Sequence, residues 1–214
     1  VKVLLSRTFT VGVKYNQTKV SLIKPMVSPA IAEKAEEIAI PKISLDEWVN
    51  NPPDGGWEWV SGNLIEKTGM TLQHGRVQSR VARIWGNHIE NSGIGGEVYT
   101  EVPCRTLEQG RRPDVAYLTP DLLAAYGDLP TLPQSFPLIA EVISPTDAAN
   151  DVFAKAYEYL RSQCQEVWLI FNEERLIVVL TQDSRKIYVA DEVITSVVLN
   201  GFSMTVNELL PVAA

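Results

Sequence analysis

Leu138-Ile139-Ala140-Glu141-Val142-Ile143-Ser144-Pro145-Thr146-Asp147 is the stretch on which the fold turns. Leu138 to Ile143 is apolar apart from one acid, the pattern of a strand covered on both faces and central to a sheet. Ser144-Pro145-Thr146-Asp147 offers cap and first-turn residues for a helix over about Asp147 to Ser162. Val167 to Phe171 then reads as the next strand. The single acid makes the stretch informative, because an unpaired carboxylate in a buried strand is costly. Glu141 therefore needs a partner, either a basic side chain such as Arg111 or Arg112, or a divalent cation.

Working outward, Ser44-Leu45-Asp46-Glu47-Trp48 reads as a capped helical turn. Trp57 to Val60 and Leu64 to Glu66, joined through Ser61-Gly62-Asn63, predict a β-hairpin. Val77, Val81, Ile84, Trp85 and Ile89 recur at helical spacing, so Leu72 to about Ile89 is a helix with one buried stripe, stopped by Ser92-Gly93 and Gly95-Gly96. Val98 to Thr106 and Val115 to Leu118 read as strands. Leu176 to Leu180 and Ile187 to Val189 form a terminal hairpin, and Val206 to Leu210 a last short helix. Strands and helices mix without strict alternation, which predicts an α/β (α+β mixed) fold with a central mixed sheet flanked by helices.

The chain has 214 residues, 45% of them apolar, enough for a real core. Residues 41–214 read as one domain. Residues 1–40 read as an N-terminal extension, expected to be poorly ordered, with a short helix over 30–38 and Met26 as the true start. Charge is uneven: 19 basic and 26 acidic residues overall, but residues 1–25 hold five cations and no acid, leaving 14 basic against 26 acidic downstream. Such a surface is not a general polyanion-binding face, so any nucleic-acid contact must be local. Two cysteines sixty positions apart, Cys104 and Cys164, fit neither a zinc site nor a secreted disulfide framework, and a reducing cytoplasm is expected. No run approaches the roughly 18 apolar residues of a membrane span.

A second acid, Asp114, stands at the mouth of its own strand after Pro113, and two carboxylates on neighbouring strands can grip one hard cation. Lys155 lies fourteen residues beyond Glu141, on the helix that retraces the strand. Rises of about 3.3 Å per strand residue and about 1.5 Å per helical residue allow its ammonium to reach both acids. A metal flanked by two acids and a lysine suits phosphodiester hydrolysis. The blander readings are a strand-entry turn for Asp114, a solvated helix surface for Lys155, and a capping or packing role for His74. Arg76, Arg80 and Arg83 read as solvated helix charge, and Trp57, Trp59, Trp85 and Trp168 as core or subunit interface.

Arg112-Pro113-Asp114-Val115-Ala116, the Leu138 to Asp147 stretch, Lys155 with Tyr159, and Glu166-Val167-Trp168-Leu169-Ile170 together resemble the Uma-type restriction endonuclease family, a branch of the PD-(D/E)XK nuclease superfamily. The resemblance runs from about Trp57 to Leu210. It implies a restriction-endonuclease-like core, a homodimer, magnesium with manganese as a substitute, and a nucleic-acid substrate, DNA first. Asp114 and Glu141 would be metal ligands and Lys155 the catalytic lysine, with Glu66 and His74 in supporting roles. One departure matters: the superfamily lysine stands two residues after the second acid, where this chain has Ile143, so activity depends on Lys155 as a migrated substitute. The alternative function is a non-catalytic dimeric scaffold or nucleic-acid-binding module that retains the fold.

Overall fold

The reciprocal cap expected at Ser44 opens the first helix, α1 (Leu45–Asn50): the Ser44 hydroxyl accepts the Glu47 N–H, and the Glu47 carboxylate accepts the Ser44 N–H. In this computed structural model residues 42–67 and 70–211 are described. The expectations for residues 1–40, Met26 and the helix over 30–38 among them, lie outside the described residues. β1 (Trp57–Val60) and β2 (Asn63–Glu66) pair antiparallel through Ser61 and Gly62, at φ 50° and 86°. Two left-handed residues are what a two-residue hairpin turn requires. α2 (Leu72–Ser92) starts at Thr71, ends at Gly93 in the left-handed conformation, and buries Val77, Val81, Trp85 and Ile89 as its periodicity predicts.

Next come β3 (Glu97–Thr100), β4 (Cys104–Arg105), β5 (Gly110–Arg111), β6 (Val115–Leu118), α3 (Pro120–Tyr126) and β7 (Leu138–Ile143). They are followed by α4 (Ala149–Arg161), β8 (Glu166–Phe171), β9 (Leu176–Thr181), β10 (Arg185–Val189), β11 (Val193–Thr195), β12 (Ser203–Thr205) and α5 (Val206–Leu209). The main sheet has the order β10-β9-β8-β7-β6-β3. β7 and β8 run parallel across the α4 crossover, and the other neighbours pair antiparallel. The sheet is therefore mixed, with β7 well inside it.

Alternation along these strands divides the core in two. Val115, Tyr117, Ala140, Trp168 and Ile170 face α2 and the C-terminal ribbon with α5. Ala116, Ile139, Leu169 and Val178 face Val152, Ala156, Tyr159 and Leu160 of α4. Trp85 meets Trp168 edge to face at 5.4 Å between ring centroids, a favoured aromatic geometry. Each large apolar side chain fully buried here contributes about 1.5–3 kcal/mol. A smaller sheet has the order β2-β1-β5-β4.

Three features depart from the expected elements. The segment Val98 to Thr106 breaks at Glu101, which takes a left-handed φ of 57°, so β3 and β4 join different sheets. α4 begins at Ala149 rather than Asp147 and has no side-chain cap. Asp147 instead closes the Ser-Pro-Thr-Asp turn on itself by accepting the Ser144 N–H at 2.8 Å, the local competition that short polar side chains offer to helix capping. Two-residue strands β4 and β5, helix α3 and the β11–β12 ribbon carry no sequence period long enough to announce them. No described helix is long and apolar enough to cross a membrane.

Candidate active site

Strand register brings the two predicted acids together. Val115 pairs with Ala140 between β6 and β7, and one more residue along that ladder sets Asp114 opposite Glu141. Directly opposed residues share a sheet face, here the face of Ala116 and Ile139, toward α4. Both acids are buried, with Asp114 2% and Glu141 7% exposed. The Asp114 carboxylate bends back over the end of the ladder, where its Oδ2 accepts the Val142 N–H at 2.7 Å.

Each acid is met by its own lysine. Lys155 of α4 places Nζ 3.0 Å from Glu141 Oε1 and 2.9 Å from Glu58 Oε1. The Tyr159 hydroxyl, one helical turn on, donates to the same Glu141 oxygen at 2.8 Å. The arginine pairing considered for Glu141 is not formed: Arg111 forks onto Glu158 and Glu58, and Arg112 donates to the Trp57 and Glu101 carbonyls. Lys67, just past β2, reaches Asp114 Oδ1 at 2.8 Å and both oxygens of Glu101. Gln78 of α2 ties the Glu101 carboxylate to the Asp114 carbonyl.

His74, in the first turn of α2, has Nε2 3.4 Å from Asp114 Oδ2, while its backbone N–H completes the Thr71 cap. Glu66 does not join the group: it is exposed on β2, opposite Trp57, and the next residue, Lys67, turns inward instead. Lys67, Glu101, Glu58 and Gln78 are the residues of this cluster that sequence reasoning missed, and Arg111 joins it on Glu58 and Glu158 instead of on Glu141. In Trp57-Glu58-Trp59-Val60 strand alternation sets the acid on the face opposite the tryptophans, a signal that points it outward rather than into a site. Lys67 and Glu101 carry no comparable signal.

The charges are strongly interdependent. Burial pushes the Glu58 carboxyl up, but the Lys155 ammonium and the Arg111 guanidinium outweigh it and bring it down to about 2. Asp114 likewise is held well below the carboxylate range despite its burial, by its contacts with His74 and Lys67. Glu141 and Glu101 stay raised, burial being the larger influence on both, against the pull of Lys155 and Lys67 respectively. Burial alone would lower both lysines, yet the surrounding carboxylates raise them. His74 is raised by its contact with Asp114, against the opposing effect of burial. At neutral pH both lysines are therefore ammonium ions, which donate hydrogen bonds and do not accept protons.

A cavity of about 690 Å³ opens over this floor, lined by Glu141, Lys155 and Arg111 and rimmed by Asp147 and Asp151. A second, of about 400 Å³, is lined by Thr71, His74, Ser144 and Asn172. Both share Val142, Ile143 and Thr146, so the end of β7 forms the ridge between them.

The donor set suits a hard divalent cation. Magnesium commonly takes one or two carboxylates from a protein and completes its shell with water and phosphate. Asp114 and Glu141 supply two, and hydrogen bonds among the described residues engage Glu141 only through Oε1. Among the described residues no group of three or more His, Cys, Asp or Glu side chains is arranged to hold a metal, so such an ion would rest on these two acids.

The sequence profile of a family described as "Uma2: Putative restriction endonuclease" matches residues 44–207. The chain is similar in structure to a protein from Anabaena variabilis ATCC 29413 described as "a putative nuclease belonging to DUF820". The TM-score is 0.69 at 18% identity, over 78% of this chain and 97% of that one. No curated protein matches the chain in sequence.

Proposed function

Because the chain belongs to the Uma2 family and has its restriction-endonuclease-like fold, we propose that it is a metal-dependent endonuclease hydrolysing phosphodiester bonds of nucleic acid, DNA first. In this reading Asp114 and Glu141 hold one magnesium ion, with manganese as a substitute, and Lys155 is the catalytic lysine. The observation that carries it is the Lys155 ammonium 3.0 Å from Glu141 at the floor of the larger cavity. A bound divalent ion supplies Lewis-acid polarisation of a phosphate oxygen and acidifies a water.

The chain's own residues divide the remaining work. An ammonium has three N–H donors, and Glu141 and Glu58 occupy two on Lys155. The third is left for a phosphate oxygen or the attacking water, where a fixed positive charge stabilises charge developing in the transition state. Delivery from α4 makes up for Ile143 at the usual lysine position. Tyr159 fixes Glu141 Oε1, and Glu58 fixes Lys155, so both are positioning residues. Arg111 lines the cavity with three of its N–H groups on Glu58 and Glu158, and this paired charge is assigned first to holding the two glutamates in place. His74 supports Asp114.

The same reading includes a homodimer in the cytoplasm. The edge strand β10 exposes Ile187 and Val189, which supports contact between copies, and two buried free thiols suit a reducing compartment. The non-catalytic scaffold is the competing reading, favoured by the acidic rim at Asp147 and Asp151, because binding of a long polyanion ordinarily needs a basic groove.

A plasmid-nicking assay with magnesium, manganese or chelator separates the two. Chelator abolishes nicking, and Asp114→Asn or Lys155→Ala lowers it by about 100-fold or more. Metal-dependent nicking unchanged in both variants means a contaminant, and absence of nicking in the parent chain on duplex and single-stranded DNA and on RNA favours the scaffold.

A further inference from the structure

The Lys67 ammonium sits in a shell of oxygens: Asp114 Oδ1, Glu101 Oε2 and the Arg112 carbonyl at 2.8 Å, and Glu101 Oε1 at 3.0 Å. Two carboxylates and a carbonyl converging on one point are the donor set of a hard cation, here filled by a side chain. The walls of this shell are fixed by groups other than Lys67. Gln78 holds the Glu101 carboxylate and the Asp114 carbonyl, and the Val142 N–H holds the other Asp114 oxygen. The Glu101 backbone is anchored by its N–H to the Pro113 carbonyl and by Arg112 on its own carbonyl. Glu101 also keeps a left-handed φ of 57°, a conformation that persists in a bulky residue only where its surroundings enforce it.

We propose that Lys67 is a built-in cation: its ammonium occupies the Asp114–Glu101–Arg112 oxygen shell, fixes the Asp114 carboxylate, and closes that side of Asp114 to a metal ion. Lys67 is thus a positioning residue, and the site takes one ion, on the Glu141 side, instead of two. This inference rests on Asp114 and Glu141 being the ion ligands of the proposed nuclease, and the test below keeps the two apart.

The experiment is a titration of the full chain with Mn2+, counting bound ions by the loss of the free-ion electron paramagnetic resonance signal. The wild type binds one ion per chain. Lys67→Met, which keeps the stem and removes the charge, binds two, and adding Glu101→Gln returns the count to one. Lys67→Arg restores the wild-type count, because a guanidinium keeps the shell occupied. A Lys67→Met count equal to that of the wild type overturns the inference, as does a wild type that already binds two. A wild type that binds none beside a Lys67→Met that binds one sinks the metal reading of Asp114 and Glu141 but upholds the role of Lys67. Should Lys67→Met fail to fold alone, circular dichroism with Mn2+ or Ca2+ decides: recovery of the fold supports a refilled shell, and no recovery overturns it.

Discussion

Replacing Glu58 by glutamine keeps the side chain's shape and removes one negative charge from between Lys155 and Arg111, both within 3.0 Å of it. The glutamine stands in for a permanently protonated Glu58, so its cost follows from proton linkage. The Glu58 carboxyl is at about 2 in the folded chain against an ordinary value of 4.5. Since the folded value is depressed, the stabilisation is fully present above pH 4.5 and is lost as the pH falls toward 2. The shift corresponds to about 3 kcal/mol at pH 7 and about 1.5 kcal/mol at pH 3. Removing one partner from a buried pair ordinarily costs a similar amount, because the other charge is left stranded. Urea unfolding of wild type and Glu58→Gln, followed by tryptophan fluorescence across this range, is the assay. A gap below about 1 kcal/mol at pH 7, or one that does not narrow on acidification, refutes the reasoning.

Gly110 passes under Trp48, and a Cβ there would lie 2.4 Å from two atoms of the indole ring, which is fully buried. Gly110→Ala is expected to cost at least about 1–3 kcal/mol in chemical denaturation, the range for overpacking, and a loss under about 0.5 kcal/mol would show the contact to be soft. Cys104 and Cys164 are both buried thiols, and burial pushes Cys164 up to about 12. Ellman's reagent at pH 8 should therefore titrate neither in the native protein and both in urea, since the thiolate is the reactive form; rapid native labelling would show that the layer under α4 opens readily.

Legibility in the sequence followed the length of each signal. β7, α2 and α4 carry apolar patterns over six to twenty-one residues, and periodicity of that extent specifies both element and buried face. The turn after β1 carries its own chemistry in Ser61-Gly62. Asp114, Glu141 and Lys155 could be linked because Glu141 is an anomaly of strand context, Asp114 stands at the mouth of a strand and Lys155 lies on the helix after Glu141, and the family resemblance supplied their joint roles. The rest of the site depends on tertiary events. Glu101 meets Lys67 and Gln78 because one backbone angle flips as the chain leaves β3, and Lys67, just past β2, meets Asp114 only in the folded chain. Neither event has a local period, and a lysine or glutamate between elements reads as solvated until its partners are known. Glu58 shows the opposite difficulty: in Trp57-Glu58-Trp59 alternation would place the acid outward, whereas Glu58 is 6% exposed and the tryptophans are only half-buried.

The hairpin turn at Ser61 and Gly62 fixes a register in which Glu58 pairs with Ile65 and Trp57 with Glu66. A slip of a single residue would present the opposite faces of both strands, withdrawing Glu58 from Lys155 and redirecting the chain that carries Lys67. Two ammonium groups on separate carboxylates would lose their alignment in one event, although the turn touches neither. A few degrees of freedom at a surface bend thus act as a common calibration for the electrostatics at the floor of the cleft.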